Sequence, residues 1–412
     1  MRRDDSLARR LPAEWAIRIA LALMLAAVAI LIVSSSLAQV AVRGNPVSAY
    51  RLAPWDGRIA ARYAAQKFAA SEDRSSRADA ARVAAHALRQ NPMAIQAVTT
   101  LGLDAQGRGD VVGARRLFTY AQALSRRDFI TQLWSIEDAV GRGDVAAAVH
   151  NYDIALRTTK SAPDVLFPVL AAAINDADVR ANVFQTLRTQ PVWALNFLNY
   201  VSMGGAAPQS AAALFLRLTQ AGVPVSPGAT AAVINRLISA GAMQQAWNYY
   251  AAVRGGADLR QSRDPRFKAD VQTPSVFDWT STNDPGLSVT VQHSLKGGLV
   301  DFSAAPSTGG VLLQQMEMLP PGSYRLAGHS IGIDQSEAAL PYWVLICRDG
   351  RELGRITMPN SVRGGGLFAG TMMVPAGCPV QMLTLVARPS EAIGGLVGQI
   401  DFLHLFPEEG RR

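Results

Sequence analysis

Residues 19–42 form 24 consecutive positions without a charged side chain. As a helix, a run of that length spans a bilayer core of about 30 Å. Ionised groups are costly inside that core, so Arg18 and Arg43 mark the two ends of the run. The segment before it, 1–18, is polar and holds five arginines. The run therefore reads as a transmembrane signal-anchor. A cleaved signal peptide is the competing reading, because Ser36, Leu37 and Ala38 offer the small residues a signal peptidase favours. A buried helix of a water-soluble protein is a third, disfavoured because no polar face interrupts the run. Arg43, Arg51, Arg58 and Arg62 follow closely, so the positive-inside bias is slight. The expected placement is a single pass through an inner membrane, with 1–18 as a cytoplasmic leader, 19–42 as the anchor and the bulk in the periplasm. Membrane lipid is then one partner.

Composition narrows the remainder. Hydrophobic residues make up 49% of the 412 and charged residues 17%. The first figure excludes wholesale disorder, and the second argues against a coiled coil. The net charge of +8 is scattered, with no run of four basic residues, so no nucleic-acid partner is expected.

A 34-residue repeat organises the middle of the chain. Gly107-Arg108-Gly109-Asp110 recurs as Gly141-Arg142-Gly143-Asp144, and Ala105/Ala139, Ala114/Ala148 and Phe118/Tyr152 obey the same offset. Small residues belong where two helices of a hairpin cross closely, and the aromatic fills the space beside them. Gly-Asp ends one helix and caps the next. On Leu101-Gly102, Ala114, Phe118, Ala121 and Pro92 the chain resembles the tetratricopeptide repeat. Two units over about 94–160 carry the resemblance, a degenerate one precedes them (58–91), and Ser135-Ile136 and Arg126 depart from the pattern. The resemblance implies an α-solenoid of helical hairpins, extended here over 58–254 by apolar stripes punctuated by Pro163, Pro191, Pro208, Pro224 and Pro227. Its groove would hold a protein partner. A mere spacer is the alternative.

After Gly255-Gly256 the stretch 255–276 is polar and aperiodic and reads as a linker. Beyond it, over 277–406, eight short alternating runs separated by Gly, Pro and Asn predict a C-terminal antiparallel β-sandwich, jelly-roll-like, with 407–412 as a solvated tail. The fold class is thus multidomain α and β. The segments 319–324 and 398–402 resemble galactose-binding-like and carbohydrate-module sandwiches, which implies a possible polysaccharide ligand. Trp279, Tyr342 and Trp343 are the candidate glycan-stacking aromatics, with core packing as the alternative for each. Cys347 and Cys378, the only cysteines, are expected to pair outside the cytosol; two separate buried thiols are the other reading. No metal-ligand spacing and no cofactor motif is present. Gly328-His329-Ser330-Ile331-Gly332 matches the pattern of a nucleophile elbow, with His404 downstream, but the helix that motif needs is missing from the sequence around it. The reading that follows is a non-catalytic scaffold of the cell envelope, serving polysaccharide assembly or export. The competing reading is an envelope esterase or glycan-modifying hydrolase using Ser330 and His404.

Overall fold

A computed structural model describes residues 12–282, 284–294 and 296–408. The first eleven residues of the leader and the last four of the tail lie outside the described residues. The chain divides into two compact units, Met1–Pro163 and Asp164–Arg412.

The first unit is helical: α1 (Pro12–Ala41), α2 (Pro46–Leu52), α3 (Gly57–Ala69), α4 (Arg74–Gln90), α5 (Ile95–Gly107), α6 (Val111–Leu124), α7 (Phe129–Gly141) and α8 (Val145–Thr158). α1 is the one helix among the described residues that is long and apolar enough to cross a membrane. Its side chains are exposed from residue 13 to 33. Beyond that its character changes. Ala38 and Val42 are buried against Ala49, Ala53 and Ile59. Gln39 Nε2 donates to Asp56 Oδ2 at 2.7 Å, and Asp56 in turn caps the start of α3.

The 34-residue offset is repeated in the helices themselves: α7 starts 34 residues after α5, and α8 starts 34 after α6. Each connecting turn places a glycine in the left-handed region, Gly109 at φ 85° and Gly143 at φ 71°. The aspartates that follow accept the orphan amides of Gly113 and Ala147. Within the first pair, Gly102 lies under the Phe118 ring; a Cβ there would meet Cε2 at 2.7 Å. Phe118 stacks on Trp134 of the next hairpin at 4.4 Å between centroids, and Arg115 bonds Asp138 across the same boundary at 2.6 Å.

The helix α9 (Ala162–Ala173) begins two residues before the second unit, which holds the rest of it and α10 (Ala177–Leu187), α11 (Ala194–Met203), α12 (Pro208–Gln220), α13 (Pro227–Ser239) and α14 (Met243–Arg254). Among the described residues ten strands follow: β1 (Thr280–Ser281), β2 (Leu287–Gln292), β3 (Leu299–Ala304), β4 (Gly310–Glu317), β5 (Gly322–Ile331), β6 (Tyr342–Cys347), β7 (Glu352–Thr357), β8 (Leu367–Val374), β9 (Gln381–Ala387) and β10 (Leu396–Pro407). They pair antiparallel in two five-stranded sheets, β1-β4-β9-β6-β7 and β2-β3-β10-β5-β8. The facing sides close over one core that includes Trp343, Leu345, Leu385, Phe302, Leu326 and Leu403. This is a β-sandwich, which puts alternate residues of every strand into the core and the others on an outer face. β7 is a strand the alternation rule does not find. Its Gly354 and the Gly370 of β8 leave room for each other's neighbours, since a Cβ would meet Met372 at 2.9 Å and Ile356 at 2.8 Å respectively. Cys347 and Cys378 are joined by a disulfide.

Candidate functional site

Between α14 and β1 the chain has no regular secondary structure, yet it is not a solvated tether. It leaves α14 through Gly255 and Gly256 at φ 57° and 70°. Ser262 then pairs with Leu405 of β10, its N–H donating to the Leu405 carbonyl at 2.8 Å and its Oγ accepting from the Leu405 amide at 2.9 Å. The Leu403 amide donates to Pro265 O at 2.9 Å. β3 pairs with β10 only as far as Ile400, so the segment occupies the backbone positions that β3 leaves open. Phe267 and Phe277 are fully buried. Phe267 holds a left-handed backbone, φ 51°, which is costly for a bulky residue. Its buried ring and the close approach of Gly298, where a Cβ would lie 2.0 Å from Phe267 O, hold it there.

Arg263 is the anchor of the segment, with 7% of its surface exposed. Its guanidinium donates to Glu317 Oε2 at 2.9 Å, to Phe277 O at 2.6 Å and to Met316 O. It also lies over the rings of Trp247, Tyr250 and Phe277. Glu317 has no exposed surface, and its Oε1 has no partner among the described residues. Burial pushes its pKa up to about 7, although Arg263 pulls the other way. Asp278 sits close by and accepts from the Tyr250 hydroxyl at 2.9 Å, from the Ser275 amide at 2.9 Å and from Ser275 Oγ at 2.8 Å, with Arg254 at 3.5 Å.

These contacts frame a cavity of about 560 Å³ between the segment, the end of α14 and the edge of the sandwich. Trp279 forms part of its wall, half-buried, with Nε1 donating to Asp264 O at 3.3 Å and Phe267 and Trp343 behind it. Asp258, Gln261, His293 and His404 supply polar walls. His404 Nε2 pairs with Gln261 Oε1 at 3.0 Å, and burial lowers its pKa. A neutral ring with its hydrogen on Nε2 keeps Nδ1 as an acceptor. The walls carry both signs of charge, with Asp258, Asp264 and Asp278 against Arg254 and Arg263. Such a site suits a neutral ligand rich in hydroxyl groups.

The sequence-level candidates fall in different places. Trp279 is in the cavity wall. Trp343 faces the sandwich core with no exposed surface, so it offers no ring face to a ligand; the alternation of β6 puts Tyr342 outside and its neighbour inside. Tyr342 lies on the opposite side of that sheet under the guanidinium groups of Arg355 and Arg388, at 4.3 and 4.9 Å from its ring centre. Ser330 is buried and donates to Gly366 O at 3.2 Å. His404 pairs in register with Ala327, three residues away from Ser330 and on the other face of the sheet. The two therefore form no nucleophile–base pair, and Gly328 packs against Phe368, where a Cβ would lie 2.4 Å away. His329 instead meets Asp401 at 2.8 Å on the outer face. The contributions of Arg263 and Gln261 escape sequence reading, because 255–276 looks like a linker, and Asp278 escapes it because no motif marks a lone carboxylate. The signal within the linker was Phe267, which a solvated tether has no use for.

No family model matches this chain, and no curated protein matches it. Among solved structures, the carbohydrate-binding module TmCBM61 in complex with beta-1,4-galactotriose is similar at 15% identity over 35% of this chain and 97% of that one, with a TM-score of 0.25. The CBM22-1 xylan-binding domain from Paenibacillus barcinonensis Xyn10C is similar at 11% identity, covering 37% of this chain and 94% of the other, TM-score 0.24. The human IFIT1 dimer matches 52% of this chain and 57% of its own at 15% identity, TM-score 0.25.

Proposed function

We propose that the protein is a membrane-anchored, non-catalytic glycan-binding adaptor whose saccharide site is the cavity beside Trp279. The cavity itself carries the reading. Its volume lies in the range of roughly 300–1,000 Å³ typical of small-ligand sites. An indole face suits the apolar face of a pyranose, and planar polar groups such as those of Asp258, Gln261 and His404 suit neighbouring hydroxyls. The tetratricopeptide-like hairpins are the seat of a protein partner. A 250 Å³ hollow lined by Gln106, Arg115, Trp134 and Glu137 supports that assignment. Assembly or export of a cell-surface polysaccharide is the process these two activities would serve.

One observation supports retention of the anchor and another an oxidising compartment for the bulk of the chain. α1 stays helical through Ser36-Leu37-Ala38, and Ala38 is fully buried, whereas peptidase cleavage needs an extended, accessible segment. The disulfide fits an oxidising compartment.

Titration calorimetry of the full chain in lipid nanodiscs against neutral envelope oligosaccharides tests the site. Binding is expected, weakened about tenfold or more by Trp279→Ala, equivalent to about 1.4 kcal/mol. His404→Ala, which leaves the core untouched, is expected to weaken it too. Unchanged affinity in both variants, with unchanged melting, would remove the cavity from consideration.

A further inference from the structure

We propose that the turn at Pro54-Trp55 rests on the phospholipid surface beside α1, with Trp55 in the headgroup region and Arg51 and Arg58 reaching lipid phosphates. The inference depends on α1 being a retained membrane anchor. Its premise is the way the chain doubles back. After α1 the backbone turns at residues 43–45, and α2 returns along the end of the same helix, so that Ala49, Ala53 and Ile59 cover Ala38 and Val42. The Gln39–Asp56 hydrogen bond of 2.7 Å sets the depth to which the chain returns. Trp55 is the next residue to Asp56, so that bond also keeps Trp55 close to Gln39.

That level coincides with the edge of the bilayer. From Ile19 to Ala38 there are 20 residues, about 30 Å of helix, which is the thickness of a hydrocarbon core. Gln39 is the first side chain beyond it. Indoles concentrate at this boundary, and Trp55 is 49% exposed there. At the other end Trp15 is 44% exposed. The 24 residue steps from Trp15 to Gln39 rise about 36 Å, between the thickness of the core and that of the whole bilayer. The two tryptophans thus bracket one membrane. Around Trp55 the surface matches a lipid interface: Val47 and Leu52 are exposed apolar groups on α2, while Arg51 and Arg58 are exposed and make no ion pair among the described residues. Continuity with the anchor and complementarity to phosphate select lipid as the occupant. The contact would hold α3 and the hairpins after it at a set angle to the bilayer.

The test uses the full chain in dilute phosphatidylethanolamine–phosphatidylglycerol vesicles, with a nitroxide attached to W55C, L25C or R82C in turn. The native cysteines are bonded and do not compete for label. Leu25 is exposed on the apolar run and Arg82 is exposed on α4. Relaxation by oxygen reports lipid, and relaxation by a nickel chelate reports water. The expected result is chelate access at R82C, its loss at L25C, and a partial loss at W55C that places the label at headgroup depth. Chelate access at W55C equal to that at R82C, with L25C protected, overturns the surface contact and leaves the anchor standing. Chelate access at L25C overturns both. Shielding of W55C from oxygen and chelate alike would show a protein covering the turn, and also overturns the proposal.

Discussion

Glu317 shows how one side chain can make the stability of the sandwich depend on pH. Its carboxyl titrates near 7 in the folded chain because burial disfavours the charge, against an ordinary value of 4.5. Between those values the native state binds the proton that the unfolded state has lost, so its contribution is complete below about 4.5 and is lost as pH rises through about 7. Chemical denaturation from pH 4.5 to 7 is therefore expected to show stability falling with pH relative to Glu317→Gln, whose amide does not titrate. Parallel curves for the two proteins would mean that Arg263 keeps the carboxylate ionised throughout. At the same scale, adjacent Tyr342 and Trp343 separate: alternation along β6 sends one ring into the core, and no local feature of the sequence decides which of the two that is.

Among the elements, the α5/α6 hairpin closes on a contact between a glycine and an aromatic ring. Phe118→Ala removes a ring that is 1% exposed and stacked on Trp134, and is expected to cost about 3–5 kcal/mol in urea denaturation. Gly102→Ala drives a methyl group into that ring and is expected to cost about 1–3 kcal/mol. In the sandwich, reducing the Cys347–Cys378 bridge, which closes a sequence separation of 31, is expected to lower stability by about 3–4 kcal/mol, measured with and without reductant. The helices were legible because small residues at a fixed 34-residue offset have one common cause, the close crossing of paired helices. Most strands were legible from alternation. β7 was not, because Glu352, Gly354 and Arg355 break the pattern; the glycine is there for close approach between sheets, a tertiary demand that a window of six residues does not contain. The cavity was least legible. Trp279 could be singled out by residue type, but its polar companions come from β10, the residue after β2 and the irregular stretch, more than a hundred residues apart in the case of Gln261 and His404.

For the whole molecule, the proposed retention of α1 as an anchor makes a simple prediction. After an alkaline wash the chain is expected to stay with the membrane pellet, and mass spectrometry of the pelleted chain is expected to find residues before Ala38 still attached rather than a product that starts after Ala38. Recovery of a shortened chain in the soluble fraction would restore the signal-peptide reading. A different consequence follows from Arg263. Its guanidinium grips Glu317 and the carbonyls of Phe277 and Met316 while three aromatic rings close over it, two of them from α14, so this one side chain ties the last helix to the sandwich. Were the sandwich pulled away from α14, Arg263 would have to surrender those partners before the irregular stretch between them could lengthen.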